Sequence, residues 1–222
     1  MELNKYIDHT KLGFYVSKKD ITKLCEEAVR YGFKSVCVNP IYVKLAKKLL
    51  LGSKVLVCTV IGFPHGTHTT KVKVFEAKDA IKNGADEIDM VINVDFLKEK
   101  RSNSKLLKEI SSVKKAVGNH TLKVILETSV LTDSEIVRGC LISSAAKADF
   151  VKTSTGFGSV GATKEVVRLM VATVPQMQVK ASGGIRNTAD AHEYIKLGAT
   201  RIGTSNGVAI VEGEENNANT TY

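Results

Sequence analysis

GADEIDMVIN, residues 84–93, is the stretch from which the rest of the chain can be read: a turn of small residues, then an apolar run that carries an acid, Asp89, in its middle. The same phrase returns as KADFVK at 147–152 and LGATRIG at 197–203. Working outward, short β-branched runs recur at YIDHT (6–10), FKSVCVN (33–39), KVLVCTVIG (54–62), DEIDMVIN (86–93), TLKVILET (121–128), DFVKTS (149–154), MQVKAS (177–182) and TRIGT (200–204). Their starts are 27, 21, 32, 35, 28, 28 and 23 residues apart, the length of a βα unit.

Helical periodicity fills the gaps. Ser17 precedes KKDITKLCEEAVRYG with Asp20 three positions on, close to a capping box, and Gly32 ends the segment. Thr70 opens KVKVFEAKDAIKNGAD, where Val72, Phe75, Ala80 and Ile81 form the expected core stripe and Gly84 the stop. Thr132 or Asp133 caps SEIVRGCLISSAAK, Thr163 precedes KEVVRLMVATV, and Thr188 opens ADAHEYIKLG. Eight strands alternating with eight helical stretches, without a break in composition, predict an α/β fold: one closed parallel (β/α)8, or TIM, barrel over residues 1–211. An open doubly wound sheet is the runner-up, but it favours a GxGxxG loop after the first strand and IDHTKLGFYVSKKD has none. Residues 212–222, polar and acidic, read as a loosely ordered tail.

Composition narrows the function. The 222 residues hold 32 Lys+Arg against 23 Asp+Glu, a net charge of +9, with 43% apolar residues, which suits a globular domain with a substantial core. No apolar run approaches the ~18 residues of a membrane span. MELNKYIDHT lacks the features of a secretory signal, so a cytoplasmic location is expected. Only 6 of the cations are Arg, the lysines are scattered, and there is no Trp, a combination that argues against nucleic-acid binding. The positive field suits a small anionic substrate. Cys25, Cys37, Cys58 and Cys140 form no CxxC pair and read as small core residues. His65-x-x-His68 is the nearest approach to a metal motif, but it lies in a Gly/Pro/Thr loop without a third ligand, and His9 and His192 add none.

Barrel strands are buried on both faces and should be apolar. Asp89 in EIDMVIN, Lys152 in FVKTSTGFG and Lys180 in VKASGGIR break that rule near strand C-termini, the end where barrels build their sites. Lys123 lies early in its run and reads as structural. Two neighbouring lysines have a chemical use. A lysine attacks a carbonyl only as the neutral amine, and bringing its pKa near neutrality takes about 4 kcal/mol. A second ammonium about 5 Å away contributes roughly 3 kcal/mol at an effective dielectric near 20, and partial desolvation the rest. The pair therefore points to Schiff-base chemistry, with Asp89 relaying protons; the residues alone do not say which lysine is the nucleophile. Glycine-rich turns follow the sixth, seventh and eighth runs: Lys152-Thr153-Ser154-Thr155-Gly156, Ser182-Gly183-Gly184-Ile185-Arg186 and Gly203-Thr204-Ser205-Asn206-Gly207. Bare backbone N–H groups there suit a phosphate. Two rival readings stand: another phosphate-binding barrel isomerase or synthase using Asp89 or Glu127 as base, and a basic non-enzymatic binding protein.

DFVKTSTGF, VKASGGIRN, GADEIDMVIN and the opening YIDHTKL, in order from about residue 5 to 211, together resemble the deoxyribose-phosphate aldolase family. The resemblance implies a metal-independent class I aldolase without cofactor that reversibly splits 2-deoxy-D-ribose 5-phosphate into D-glyceraldehyde 3-phosphate and acetaldehyde, in deoxyribonucleoside catabolism. It implies Lys152 as the Schiff-base lysine, Lys180 as the residue that perturbs it and assists proton transfer, and Asp89 as acid/base. Asp8 and Thr10 are implied near the substrate's hydroxyl end, Thr155, Gly156, Gly183, Gly184, Gly203 and Ser205 around the phosphate, Tyr222 as a proton shuttle on the tail, and a homodimer. Two features depart from the family pattern: His65, where an apolar residue is expected, and Ser159-Val160, in a stretch that is often glycine-rich.

Overall fold

Every one of the eight runs becomes a strand in the computed structural model, which describes residues 2–213. They are β1 (Ile7–Lys11), β2 (Ser35–Val38), β3 (Leu56–Ile61), β4 (Glu87–Val91), β5 (Thr121–Ile125), β6 (Phe150–Lys152), β7 (Gln178–Ser182) and β8 (Arg201–Thr204). Each pairs in parallel with the next, and β8 returns to β1, closing the barrel. The helices are α1 (Lys18–Tyr31), α2 (Val43–Leu49), α3 (Thr70–Lys82), α4 (Val94–Lys98), α5 (Asn103–Val117), α6 (Asp133–Ala145), α7 (Lys164–Thr173), α8 (Thr188–Lys196) and α9 (Gly207–Glu212). The chain therefore forms a single-domain (β/α)8 barrel, with two helices after β4. Glu212 closes α9; the rest of the expected tail, Tyr222 included, lies outside the described residues from 214 onward.

Local chemistry sets the helix ends. Ser17 and Asp20 form the full capping box of α1, Thr132 and Glu135 that of α6, and Gly32 ends α1 in the left-handed region at φ +62°. The cap of α3 is Thr69, one residue before the expected opening, and that of α8 is Asn187. Half of the core stripe expected on α3 forms: Ala80 is buried and Ile81 packs against the core. Val72 and Phe75 are 43% and 72% exposed, while Lys73, Ala77 and Ala80 are buried. Lys73 is buried because its ammonium meets Glu109 of α5 at 2.8 Å, and the other oxygen of Glu109 accepts from the Asn93 backbone N–H after β4 at 2.9 Å.

Alternation along the strands divides the interior in two. Val57, Ile88, Met90, Leu122, Val124, Val151, Val179 and Ile202 join the main core between sheet and helices. Near the mouth Leu12, Cys37, Cys58 and Val60 form a second, small cluster backed by Phe63 and Phe157. The remaining centre of the barrel is filled by charges.

Candidate active site

Asp89 is the hub of that charged centre. In register it stands beside Val60 of β3 and Lys123 of β5, while Lys152 and Lys180 are direct partners on β6 and β7. Lys152 Nζ and Lys180 Nζ both donate to Asp89 Oδ2, at 2.8 and 2.7 Å, so the two nitrogens are no farther apart than the sum of these lengths. Asp89 Oδ1 accepts from Lys123 Nζ at 2.9 Å and from Cys58 Sγ at 3.2 Å. Asp8 of β1 pairs with Lys180 through Oδ2, and its buried Oδ1 has no hydrogen-bond partner among the described residues. The site thus unites the three residues singled out from strand ends, and adds Asp8, which entered only by resemblance.

Lys123 and Cys58 correct the sequence reading. Lys123 was expected to be structural, apart from the site; it is fully buried and bonded to Asp89, to Glu87 Oε2 at 2.6 Å and to Cys58 Sγ at 3.3 Å. The physical reason is register: β4 and β5 pair Asp89 with Lys123 directly, so Lys123 lies level with Asp89 and not at the opposite end of the barrel. Cys58 does more than pack, since its thiol is a donor to the hub. Below them Arg201 grips Glu87 with both terminal nitrogens, at 2.7 and 3.1 Å, and reaches Ser35 Oγ at 3.1 Å. Neither Glu87 nor Arg201 was singled out, although both are charges within strand runs, the signal that exposed Asp89.

Electrostatics in this enclosed place are strong. Burial pushes the Asp89 carboxyl up, but Lys123, Lys152 and Lys180 outweigh it and hold the group well below the usual carboxylate range. Burial opposes the Lys180 ammonium, yet Asp8 and Asp89 more than offset that and raise its pKa above an ordinary lysine's. Lys123 is likewise raised despite burial, by Asp89, Cys58 and Glu87. Glu87 falls to about 2 against its burial, through Lys123 and Arg201. Burial drives the Cys58 thiol well above its ordinary value, with Cys37 and Asp89 adding to the effect. The donor atoms of Asp8, Cys37, Cys58 and Asp89 come within 4.8 Å of one another; both oxygens of Asp89 and Oδ2 of Asp8 are paired with ammonium groups.

Around the mouth the glycine turns converge. Gly156, Gly183 and Gly184 have φ of +89°, +89° and +77°. A Cβ on Gly161 would lie 2.1 Å from the Gly183 carbonyl oxygen, so the loops after β6 and β7 touch backbone to backbone, joined by Ala162 N–H to Gly183 C=O at 3.1 Å. Thr153 Oγ1 adds a second tie, donating to Ser182 C=O and accepting from Ser182 N–H, both at 3.0 Å. Ser205 is exposed beside Asn206 at the start of α9, and Gly203 lies inside the barrel against Lys180 and Ser182. Thr10 Oγ1 is turned to the Asp8 carbonyl at 2.9 Å. Glu127, at φ +56°, accepts from the Thr155 backbone at 3.1 Å and hydroxyl at 2.5 Å, so its carboxylate braces the loop after β6. His65, Ser159 and Val160 are exposed, and His68 pairs with Glu76 at 3.2 Å.

A parallel barrel with two lysines on one carboxylate oxygen, Lys152 ending β6 while Asp89 and Lys180 stand at the middle of β4 and β7, has the build of an amine-dependent carbonyl enzyme. The profile of DeoC/LacD family aldolases matches residues 3–213. Deoxyribose-phosphate aldolase of Streptococcus gordonii is 58% identical over 221 residues, 99% of this chain and 100% of that one. The protein of the same name from Macrococcus caseolyticus is 56% identical over 216 residues, covering 97% and 98%. Among solved structures, the aldolase QR15 superposes with a TM-score of 0.90 at 42% identity, covering 95% of this chain and 94% of that one. The deoxyribose phosphate aldolase of Aeropyrum pernix, described as tetrameric, gives 0.86 at 33%, covering 95% and 89%. The chain belongs to the DeoC/LacD family of aldolases.

Proposed function

We propose that this chain is a class I aldolase that reversibly cleaves 2-deoxy-D-ribose 5-phosphate to D-glyceraldehyde 3-phosphate and acetaldehyde, with Lys152 as the Schiff-base nucleophile. The observation that carries the choice of lysine is the difference in how the two are held. Lys180 is clamped between two carboxylates, Asp8 and Asp89, whereas Lys152 pairs with Asp89 alone among the described residues. A lysine fixed as a cation beside a more loosely held one supplies the perturbing charge, and the other supplies the amine.

Lys152 Nζ, neutral, attacks the C1 aldehyde of the open-chain sugar; the carbinolamine is protonated and loses water to give the protonated imine. Removal of the C3 hydroxyl proton breaks the C2–C3 bond, glyceraldehyde 3-phosphate leaves, and the electrons settle in the enamine of acetaldehyde. Protonation at C2 and hydrolysis release acetaldehyde and restore the amine. Asp89 and Lys180, hydrogen-bonded at 2.7 Å, form the proton-transfer pair in this reading. The imine is itself the electron sink, so the route calls for no metal or organic cofactor. Asp8, with its bare Oδ1, and Thr10 are assigned to the sugar's hydroxyl end; Thr155, Gly156, Gly183, Gly184, Gly203 and Ser205 to the phosphate. A homodimer, a cytoplasmic setting and a place in deoxyribonucleoside catabolism complete the proposal. Among the described residues no helix is long and apolar enough to cross a membrane. The rival base Glu127 is engaged by Thr155, which favours the aldolase reading over an isomerase or synthase.

Incubation with acetaldehyde and borohydride followed by peptide mass spectrometry tests the assignment. An ethyl group on Lys152 is expected; modification of neither Lys152 nor Lys180 refutes it.

A further inference from the structure

Among the described residues the barrel interior holds unequal numbers of positive and negative charges. Three carboxylates, Asp8, Glu87 and Asp89, face four bases, Lys123, Lys152, Lys180 and Arg201, and all seven residues are at most 4% exposed. With every group ionised the cluster carries one cation in excess. The other inward groups on the remaining strands are Ser35 and Cys37 of β2 and Cys58 of β3, which supply no compensating anion while the thiols stay protonated. An uncompensated charge in a low-dielectric interior is expensive, and the proton that leaves most readily is that of the base least held by carboxylates.

Lys123 touches neither of the catalytic lysines through a hydrogen bond. It sits on the far oxygen of Asp89, with Glu87 behind it, and leaves Oδ2 to Lys152 and Lys180. We propose that Lys123 is a positioning residue that also sets the charge of the site: as the fourth base against three carboxylates, it drives one proton from the cluster to solvent and so keeps the nucleophilic amine free. This rests on the Schiff-base reading above. Without Lys123 the interior balances with every other group charged, and the drive to release a proton from Lys152 is gone.

Two substitutions of opposite sign test the idea. Lys123→Met keeps the bulk of the side chain, leaves Asp89 bonded to Lys152 and Lys180, and leaves Glu87 bonded to Arg201. Two cations on opposite oxygens of one carboxylate are about 6 Å apart, so at an effective dielectric near 20 the ascending limb of the kcat/KM–pH profile for deoxyribose 5-phosphate cleavage should move up by about two pH units. Activity should be recovered at high pH. Glu87→Gln removes an anion from the same cluster, farther from the amine, and should move the limb down by about one unit. The pH dependence of borohydride trapping at Lys152 should follow the same shifts. A merely structural role lowers activity in both variants without moving the limbs apart. Limbs that stay in place, or move together, overturn the proposal while trapping at Lys152 in the unaltered protein leaves the aldolase reading intact. Absence of trapping in the unaltered protein refutes that reading itself. If Lys123→Met does not fold, a limb in Glu87→Gln that fails to move down overturns the proposal alone.

Discussion

Gly203→Ala is a one-carbon test of whether the placement of the Lys180 ammonium matters. Gly203 lies on β8 with its missing side chain aimed into the barrel, and its backbone is open to any residue, so the substitution acts by contact alone. An added Cβ would lie 2.6 Å from Ser182 Oγ and 2.9 Å from Lys180 Cε. The serine hydroxyl can rotate away. Cε cannot yield so cheaply, because the nitrogen beyond it is clamped by Asp8 and Asp89. Restoring an ordinary carbon contact of about 3.6 Å moves Cε by roughly 0.7 Å. A comparable shift at Nζ would stretch the 2.7 Å bond to Asp89 Oδ2 to the edge of hydrogen bonding. Misplacement on this scale should lower kcat/KM by about 100-fold, with an overpacking cost of about 1–2 kcal/mol and a correspondingly small fall in Tm. The assay is cleavage of 2-deoxyribose 5-phosphate and, separately, of 2-deoxyribose without its phosphate. Equal losses on both place the fault at the ammonium. A loss confined to the phosphorylated sugar would assign Gly203 to the phosphate alone, and an unchanged rate on both would refute the reasoning about Lys180.

Stability offers two further tests. Lys73→Met strands the Glu109 carboxylate in the packing of α3 on α5 and should destabilise the fold by about 3–5 kcal/mol in urea denaturation, most of it regained in the double variant with Glu109→Met; no loss in the single variant would contradict the buried pair. Glu87, lowered from its ordinary 4.5 to about 2, adds stability that is present above pH 4.5 and is lost as the pH falls towards 2. That contribution is about 3 kcal/mol, so denaturation at pH 5 and pH 3 should show a drop that Glu87→Gln diminishes, and an equal drop in both proteins would count against it.

Both the fold and half of the site were legible because they rest on short-range pattern. A strand buried on two faces announces itself as a β-branched run, and the caps of α1 and α6 are complete within four residues, Ser17 to Asp20 and Thr132 to Glu135. Asp89, Lys152 and Lys180 stood out because a charge in such a run contradicts its surroundings. What escaped the sequence depends on which residues a closed barrel makes neighbours. On α3 the apolar stripe misleads at Val72 and Phe75, because the buried position belongs to Lys73 and is stabilised by an acid 36 residues away that no local pattern links to it. Lys123 escaped for a related reason. TLKVILET places it third in its run, but height in a barrel is set by pairing with the neighbouring strand, and β5 sets Lys123 directly opposite Asp89 of β4. A register that set Lys123 lower would let it snorkel to solvent, as a long side chain does at a barrel end. The observed register puts it level with Asp89, where it cannot reach water, so it must find carboxylates within the barrel.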